Sequence, residues 1–431
     1  MQTFIKTIDM KKLIVTLLLA GFFCDMKKLK LVVIGNGMAG MRTVDELLKI
    51  APDMYDITVI GKEPYGNYNR IMLSPVLAGE KHFDDIVLHT QKWYKKQGIV
   101  LVVGQMVVDV NRKKKQVITD AGLSFDYDRL LLATGSVPFI IPIPNHNHAC
   151  VLSFRDIQDV EAMLLATQQK KRVAVIGGGL LGLEAANGLL KRGVDVTVIH
   201  DVPCLMNRQL DSEAAHLLQA QLEANGMKFR MGAMTKEIVA KDDQNLSHIA
   251  FKNGEDLATD LVIMAVGVRP NVALAKQIGL QVDKAILVND TMQSYDPCIY
   301  AVGECVQHRG SLFGLVAPLY EQAAVCATHL AEFGIGRYIQ KATATTLKVS
   351  GVNLFSAGDF SGANAEALVL RDTTSGVYKR LFIKGNKLVG AVLFGDVQDG
   401  SWYFDLIKQQ QDVSAMRADL VFGKQELADA I

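Results

Sequence analysis

The chain has 431 residues, enough for two to four domains. Apolar residues make up 49% and charged residues 21%, which suits a globular protein with buried cores. Lys and Arg number 46 against 45 Asp and Glu, a formal net charge of +1, so no charge excess argues for nucleic acid or an acidic surface as partner.

The N-terminus carries "MKKLIVTLLLAGFF", Met10 to Phe23, which has the basic and apolar regions of a signal peptide. Its apolar run from Leu13 is too short to span a bilayer, and no membrane association is expected. Cys24 invites a lipoprotein reading, but bulky Phe23 stands where such cleavage sites want a small residue. A second start at Met26 leads almost directly into a strand. Residues 1–25 are therefore read as an extension from a misassigned start, and the protein as cytoplasmic; export is the alternative.

Next comes a β-α-β unit. The strand "KLVVI" (Lys30 to Ile34) leads into Gly35-Asn-Gly37-Met-Ala-Gly40, then an amphipathic helix to about Ile50 and a second strand, "DITVI", ending at Ile60. In such a loop the first glycine permits the tight turn. The second lets backbone approach a pyrophosphate, and the third lets helix pack on strand. The helix N-terminus offers free N–H groups and the positive end of its dipole. The basic run "NRKKK", Asn111 to Lys115, lies between strand-like segments and reads as a solvated hairpin turn. "YDRLLLATGSVP", Tyr127 to Pro138, is an apolar strand ending in Ala-Thr-Gly.

The first design then recurs. "RVAVI" (Arg172 to Ile176) leads into Gly177-Gly-Gly179-Leu-Leu-Gly182, a helix to about Arg192 with Gly193 suited to its C-terminal cap, and "DVTVI" ending at Ile199. One glycine motif is a weak signal; two in the same strand–helix context are strong. Two dinucleotide sites in one chain suggest a flavin and a nicotinamide brought face to face. "DLVIMAVGVRPN", Asp260 to Asn271, repeats the Ala-Thr-Gly design, and "YAVGE" (Tyr300 to Glu304) sets an acid after a strand and a glycine. Beyond residue 341, alternating stretches such as "VYKRLFI" read as a small β-rich domain. Trp402, Tyr403 and Phe404 there are either core or an electron-partner patch. Six cysteines at 24, 150, 204, 298, 305 and 326 form no C-x-x-C pair, so no metal site is spelled out.

The order of these motifs resembles the FAD/NAD(P)-dependent pyridine nucleotide–disulfide oxidoreductase superfamily. Within it, "NYNRIMLSPVLAGE" (Asn67 to Glu80), "RQLD" (Arg208 to Asp211), "AVGECVQHRG" (Ala301 to Gly310), "GLVAPLYEQA" (Gly314 to Ala323) and "DGSWYFDLI" (Asp399 to Ile407) are most similar to the N-terminal flavoprotein module of NAD(P)H-dependent nitrite reductase large subunits. The resemblance runs from about Met26 to Gly423. It implies an α/β fold of two dinucleotide-binding three-layer domains with a small α+β C-terminal domain. The expected limits are 26–143 with 267–338 for FAD, 144–266 for NAD(P), and 339–425 for the last.

By that resemblance Gly35, Gly37 and Gly40 seat the FAD pyrophosphate, and Gly177, Gly179 and Gly182 that of the nicotinamide coenzyme. Glu63 is the nearest acid for the adenosine ribose, or else a surface loop residue. Arg70 matches an arginine near the flavin phosphates, or else lies on a helix surface. Thr134 and Gly135 line the flavin side, and Glu304, after Gly303, bonds the ribityl chain. Pro318, Tyr320, Glu321 and Gln322 start a helix under the flavin ring or simply pack. Glu184 contacts the nicotinamide end or is a solvated first-turn residue. His200 and Asp201 stand where an acid would select NAD; NADH is expected through Asp201, with NADPH possible because Arg208 is near.

Absences also inform. Disulfide reductases of the superfamily carry cysteine between Tyr68 and Glu80, and this sequence has none there, so no flavin–thiolate relay is expected. Where ferredoxin-reductase relatives often have "LSK", Ser74 is followed by Pro75. The iron–sulfur and siroheme segments of nitrite reductase are not in this sequence, so it is not expected to reduce nitrite by itself. The expected activity is FAD-dependent NAD(P)H oxidation, with electrons passed to a nitrate or nitrite reductase component or a rubredoxin-like iron–sulfur protein. No side chain is named as catalytic. A rubredoxin- or ferredoxin-type reductase and a non-catalytic flavin redox sensor are the alternatives.

Overall fold

The computed structural model describes residues 28–341, 344–349, 351–360, 362 and 364–424. The N-terminal extension and Cys24 lie outside them. The strand Leu29–Ile34 is buried over its last four residues, the pattern of a strand covered on both faces. It sits at the centre of a five-stranded parallel sheet. The spatial order is Ile299–Ala301, Arg129–Leu132, Leu29–Ile34, Tyr55–Gly61, Val100–Val103.

The second glycine motif builds the same sheet again. Its order is Val151–Ser153, Leu261–Met264, Arg172–Ile176, Asp195–Ile199, Lys228–Arg230, all parallel. In both sheets the strand before the glycine loop is central. The chain leaves it to one side and returns on the other. Strand order reverses there, which opens a crevice at the carboxyl ends of the strands. The helices Met38–Ile50 and Leu180–Lys191 follow the loops, and Gly193, at φ +75°, ends the second as expected.

A three-stranded antiparallel sheet accompanies each unit: Val107–Asn111, Gln116–Thr119 and Ser124–Asp126 in the first, Thr235–Asp242, Asn245–Phe251 and Leu257–Ala258 in the second. The "NRKKK" run is the turn between the first two of these strands. Where the chain passes between units, Ser136–Pro138 pairs antiparallel with Val268–Pro270. The chain then returns to the first sheet through Ile299–Ala301, and the helix Val316–Leu330 packs against Met38–Ile50.

The C-terminal part is a five-stranded antiparallel sheet in the order Ala344–Val349, Val352–Gly358, Lys387–Phe394, Val377–Lys384, Glu366–Asp372. Alternation divides its side chains between two cores. Phe355, Leu381, Ile383 and Leu393 pack with Tyr403 and Leu406 of the helix Gly400–Gln409. Leu354, Tyr378, Phe382, Val392 and Phe394 join the core of the second nucleotide unit. Tyr403 is fully buried and donates to Leu420 O at 2.8 Å, while Trp402 and Phe404 pack partly buried beside it. Of the two readings of this trio, the structure therefore shows core packing.

One cation is buried in this sheet. Lys379 is 3% exposed and lies 2.8 Å from Asp396 and 3.5 Å from Asp399. The Lys379 ammonium holds the Asp396 carboxyl below its ordinary range. Stability from a depressed carboxyl is complete above its unfolded pKa and lost as pH falls through the folded one. Lys379→Met should cost about 2 kcal/mol at neutral pH, since both carboxylates keep some solvent. The gap from wild type should narrow below about pH 4 in denaturant titrations, where the unfolded carboxyl titrates.

Candidate functional site: two glycine-loop crevices

Both glycine loops obey one steric logic. Gly35 has φ +113° and Gly177 φ +120°, backbone that other residues rarely adopt. A Cβ at Gly35 would collide with Ala133 O, and one at Gly177 with Ala265 O. A Cβ at Gly40 would lie 2.7 Å from Gly35 O, and one at Gly182 would collide with Gly177 O. The middle glycines differ. Around a Cβ at Gly37 or Gly179 there is nothing within 4 Å. Each middle glycine is the N-cap of its helix, with no side-chain cap bond and no acid in the first turn. First and third glycines are thus required by the protein's own packing. The second faces open space beside unclaimed N–H groups, as a pyrophosphate cradle should.

Around the first crevice the structure pairs residues that the sequence suggested singly. Glu63 accepts from Tyr68 Oη at 2.6 Å and forms an ion pair with Arg70. Arg70 also donates to Arg155 O at 3.3 Å. Glu304 accepts from Ser136 Oγ at 2.7 Å and is ion-paired with Arg155. Thr134 Oγ1 donates to Asn271 O at 2.8 Å, joining the two crossing segments beside Gly135. Gly303 N–H donates to the buried Gln322 Oε1 at 3.0 Å, and a Cβ there would lie 3.1 Å from Ala39 of the first nucleotide helix. Pro318 is buried in the first turn of Val316–Leu330. Tyr320 lies under the Arg42 guanidinium, whereas Glu321 is exposed and 3.5 Å from Lys341.

Arg155 was missed by sequence reasoning. Its Nε is buried without a partner among the described residues, so a cation edge waits in the crevice. "SFRDIQD" held a usable signal: an arginine directly before Asp156, which with Asp159 forms a capping box for the helix Ile157–Ala166. Arg70, Arg155 and the Gly37 helix end form a donor set that fits an anionic flavin nucleotide.

The second crevice is lined differently. His200, at the end of Asp195–Ile199, accepts at Nδ1 from Gly178 N–H at 3.3 Å. Burial pushes the imidazole pKa down, against the opposing pull of Asp201. Asp201 itself is 70% exposed. Glu184 reaches Ser74 Oγ, which donates to it at 2.7 Å, and burial raises the Glu184 carboxyl pKa. The solvated reading of Glu184 therefore does not describe it.

Ser74 belongs to the short helix Leu73–Ala78, with Pro75 in the first turn, where a missing N–H costs little. This helix docks on Leu180–Lys191. Leu77 fills the space a Cβ at Gly188 would need, Arg192 Nε donates to Leu77 O at 2.8 Å, and Lys191 pairs with Glu80. The segment that could have carried a redox thiol is thus a docking element between the two crevices.

Two contrasts test this site. Gly179→Ala should leave the melting temperature within about 1 °C of wild type, since no protein atom meets the added Cβ, but weaken binding of the nicotinamide coenzyme at least about tenfold. Gly182→Ala should instead lower the melting temperature by several degrees, by overpacking against Gly177 O. For Glu184, a raised carboxyl pKa means stability falls as pH rises from the unfolded value through the folded one. Glu184→Gln, which keeps an acceptor for Ser74, should be at least as stable as wild type at pH 7, and that difference should shrink toward pH 4 in denaturant titrations.

Residues 29–329 match the family described as pyridine nucleotide-disulphide oxidoreductase, and residues 344–411 match the rubredoxin NAD+ reductase C-terminal domain. The nitrite reductase [NAD(P)H] of Bacillus subtilis is 50% identical over 390 residues, covering 90% of this chain and 48% of that one. The assimilatory nitrate reductase electron transfer subunit of the same organism is 43% identical, covering 92% and 51%. The chain spans about half the length of these relatives. Among solved structures, NADH:rubredoxin oxidoreductase from Clostridium acetobutylicum superposes with a TM-score of 0.76 at 25% identity, covering 94% of this chain and 100% of that one. Putidaredoxin reductase, in its covalent complex with putidaredoxin, gives 0.81 at 26% identity, covering 90% and 94%. Together with the paired glycine cradles, these matches show that the chain belongs to the pyridine nucleotide-disulphide oxidoreductase family.

Proposed function

We propose that the protein is an FAD-dependent NAD(P)H oxidoreductase that delivers electrons to a separate redox protein of nitrate or nitrite assimilation. The observation that carries this reading is the duplicated cradle. Two open glycine positions stand at two helix N-termini, in units joined through the helix Leu73–Ala78. A bound flavin supplies hydride acceptance from reduced nicotinamide and release of single electrons.

The protein's part is to bind, orient and exclude water. Residues 26–143 with 267–338 form the flavin unit in this reading, 144–266 the nicotinamide unit and 339–425 the C-terminal domain. Gly35, Gly37, Gly40, Glu63, Arg70, Thr134, Gly135, Gly303, Glu304 and Pro318 serve the first coenzyme. Gly177, Gly179, Gly182, Glu184, His200 and Asp201 serve the second. Ser74 holds Glu184 toward the junction between the crevices. Burial disfavours the charged form of His200, which supports NADH, and the exposed Asp201 is the residue proposed to meet a ribose hydroxyl. No described helix is long and apolar enough to cross a membrane; the cytoplasm is the proposed site of action. A rubredoxin-like acceptor is the second reading, favoured by the match of residues 344–411.

The flavin-loaded protein should reduce ferricyanide rapidly with NADH, with kcat/KM at least about tenfold lower for NADPH if Asp201 rather than Arg208 meets the adenosine ribose. Purified nitrate reductase and rubredoxin, offered as acceptors in turn, separate the two readings. Absence of turnover while both coenzymes bind would overturn the enzyme reading in favour of a sensor.

A further inference from the structure

The nicotinamide crevice is bounded by a loop that nothing in either glycine motif explains. It runs from His200 to Leu210, between the strand Asp195–Ile199 and the helix Ser212–Ala224. Its middle is fastened to the cradle. Met206 N–H donates to Gly178 O at 3.0 Å, with Met206 at φ +48°. Leu205 and Met206 are buried, and a Cβ at Gly178 would lie 2.8 Å from Leu205 Cδ2. A displacement of this loop therefore displaces the backbone of the glycine cradle.

The far end of the loop is fastened to a different part of the molecule. Asp211 Oδ1 accepts from Ala214 N–H at 2.9 Å, the N-cap bond of the helix. Its other oxygen accepts from Tyr378 Oη at 3.0 Å and lies 3.9 Å from Arg380. Arg371 pairs with Glu213, two residues on in the first turn of the helix. Tyr378, Arg380 and Arg371 all belong to the C-terminal sheet. Tyr378 is 1% exposed, and burial with the Asp211 carboxylate keeps its hydroxyl protonated, hence a donor. Leu210 packs in the same core as Tyr378 and Phe382.

We propose that Tyr378, acting through Asp211, is a positioning residue for the nicotinamide coenzyme, so that the C-terminal sheet forms part of a coenzyme site whose glycine motif lies far from it in sequence. This rests on the reading of the second crevice as a nicotinamide site. The loop end is held at one carboxylate that serves two masters: one oxygen starts the helix, the other is held by the sheet. Releasing the second lets the loop shift without unfolding the helix.

The test uses the flavin-loaded full chain and ADP-ribose, which carries the adenosine and pyrophosphate but no nicotinamide, titrated by calorimetry. Tyr378→Phe keeps the buried ring and removes only the hydroxyl. It should weaken ADP-ribose binding about fivefold and raise KM for NADH by a similar factor, with kcat and flavin content unchanged. Asp211→Ser keeps a helix N-cap but is too short to reach Tyr378, and should give the same loss. The double variant should lose no more than either single one. Unchanged ADP-ribose affinity in both single variants, or fully additive losses, would overturn the inference. If wild-type protein binds neither ADP-ribose nor NADH, the reading of the crevice fails instead.

Discussion

Everything in this molecule depends on how closely a glycine loop can lie against the neighbouring strand's carbonyl. At Ala133 and at Ala265 that carbonyl occupies the place a Cβ would take. Only because no Cβ competes for that place can the helix start directly above the central strand. Its first N–H groups then converge on the crevice where strand order reverses. The site is therefore a consequence of backbone contact, and side chains refine it afterwards. This also explains why the two cradles are alike although the side chains around them are not.

Those surroundings diverge in charge. The first crevice collects two arginines, each held by an acid, Arg70 with Glu63 and Arg155 with Glu304. The second presents a buried imidazole and a carboxyl favoured in its neutral form, with a solvated acid at the rim. Between them, a helix without a thiol meets the second nucleotide helix through small and apolar contacts, the Ser74–Glu184 hydrogen bond and the Arg192 bond to Leu77 O.

The fold was legible because it was written twice: the same glycines, the same strand endings, the same order. Local periodicity also showed the C-terminal strands and the hairpin at Asn111–Lys115. What could not be read was pairing across long separations. Glu304 and Arg155 are 149 residues apart, and Tyr378 and Asp211 are 167 apart. No spacing rule brings such groups together; the sheet order does. Trp402 to Phe404 stayed ambiguous because an aromatic run looks the same whether it faces a helix–sheet core or a partner. For Glu184 a solvated reading stayed open in the sequence because the helix that buries it comes from the other unit.

The outermost strand of the first sheet, Ile299–Ala301, pairs with Arg129–Leu132 only after the whole second sheet has intervened. On a growing chain the second nucleotide sheet is contiguous between Val151 and Met264 and can close as soon as it emerges. The first sheet has to wait with one edge unpaired and one crevice wall missing, since Gly303 and Glu304 arrive with that late strand. The order of assembly is thus the reverse of the order in sequence: the unit synthesised second is completed first, and the crevice of the first unit is sealed last.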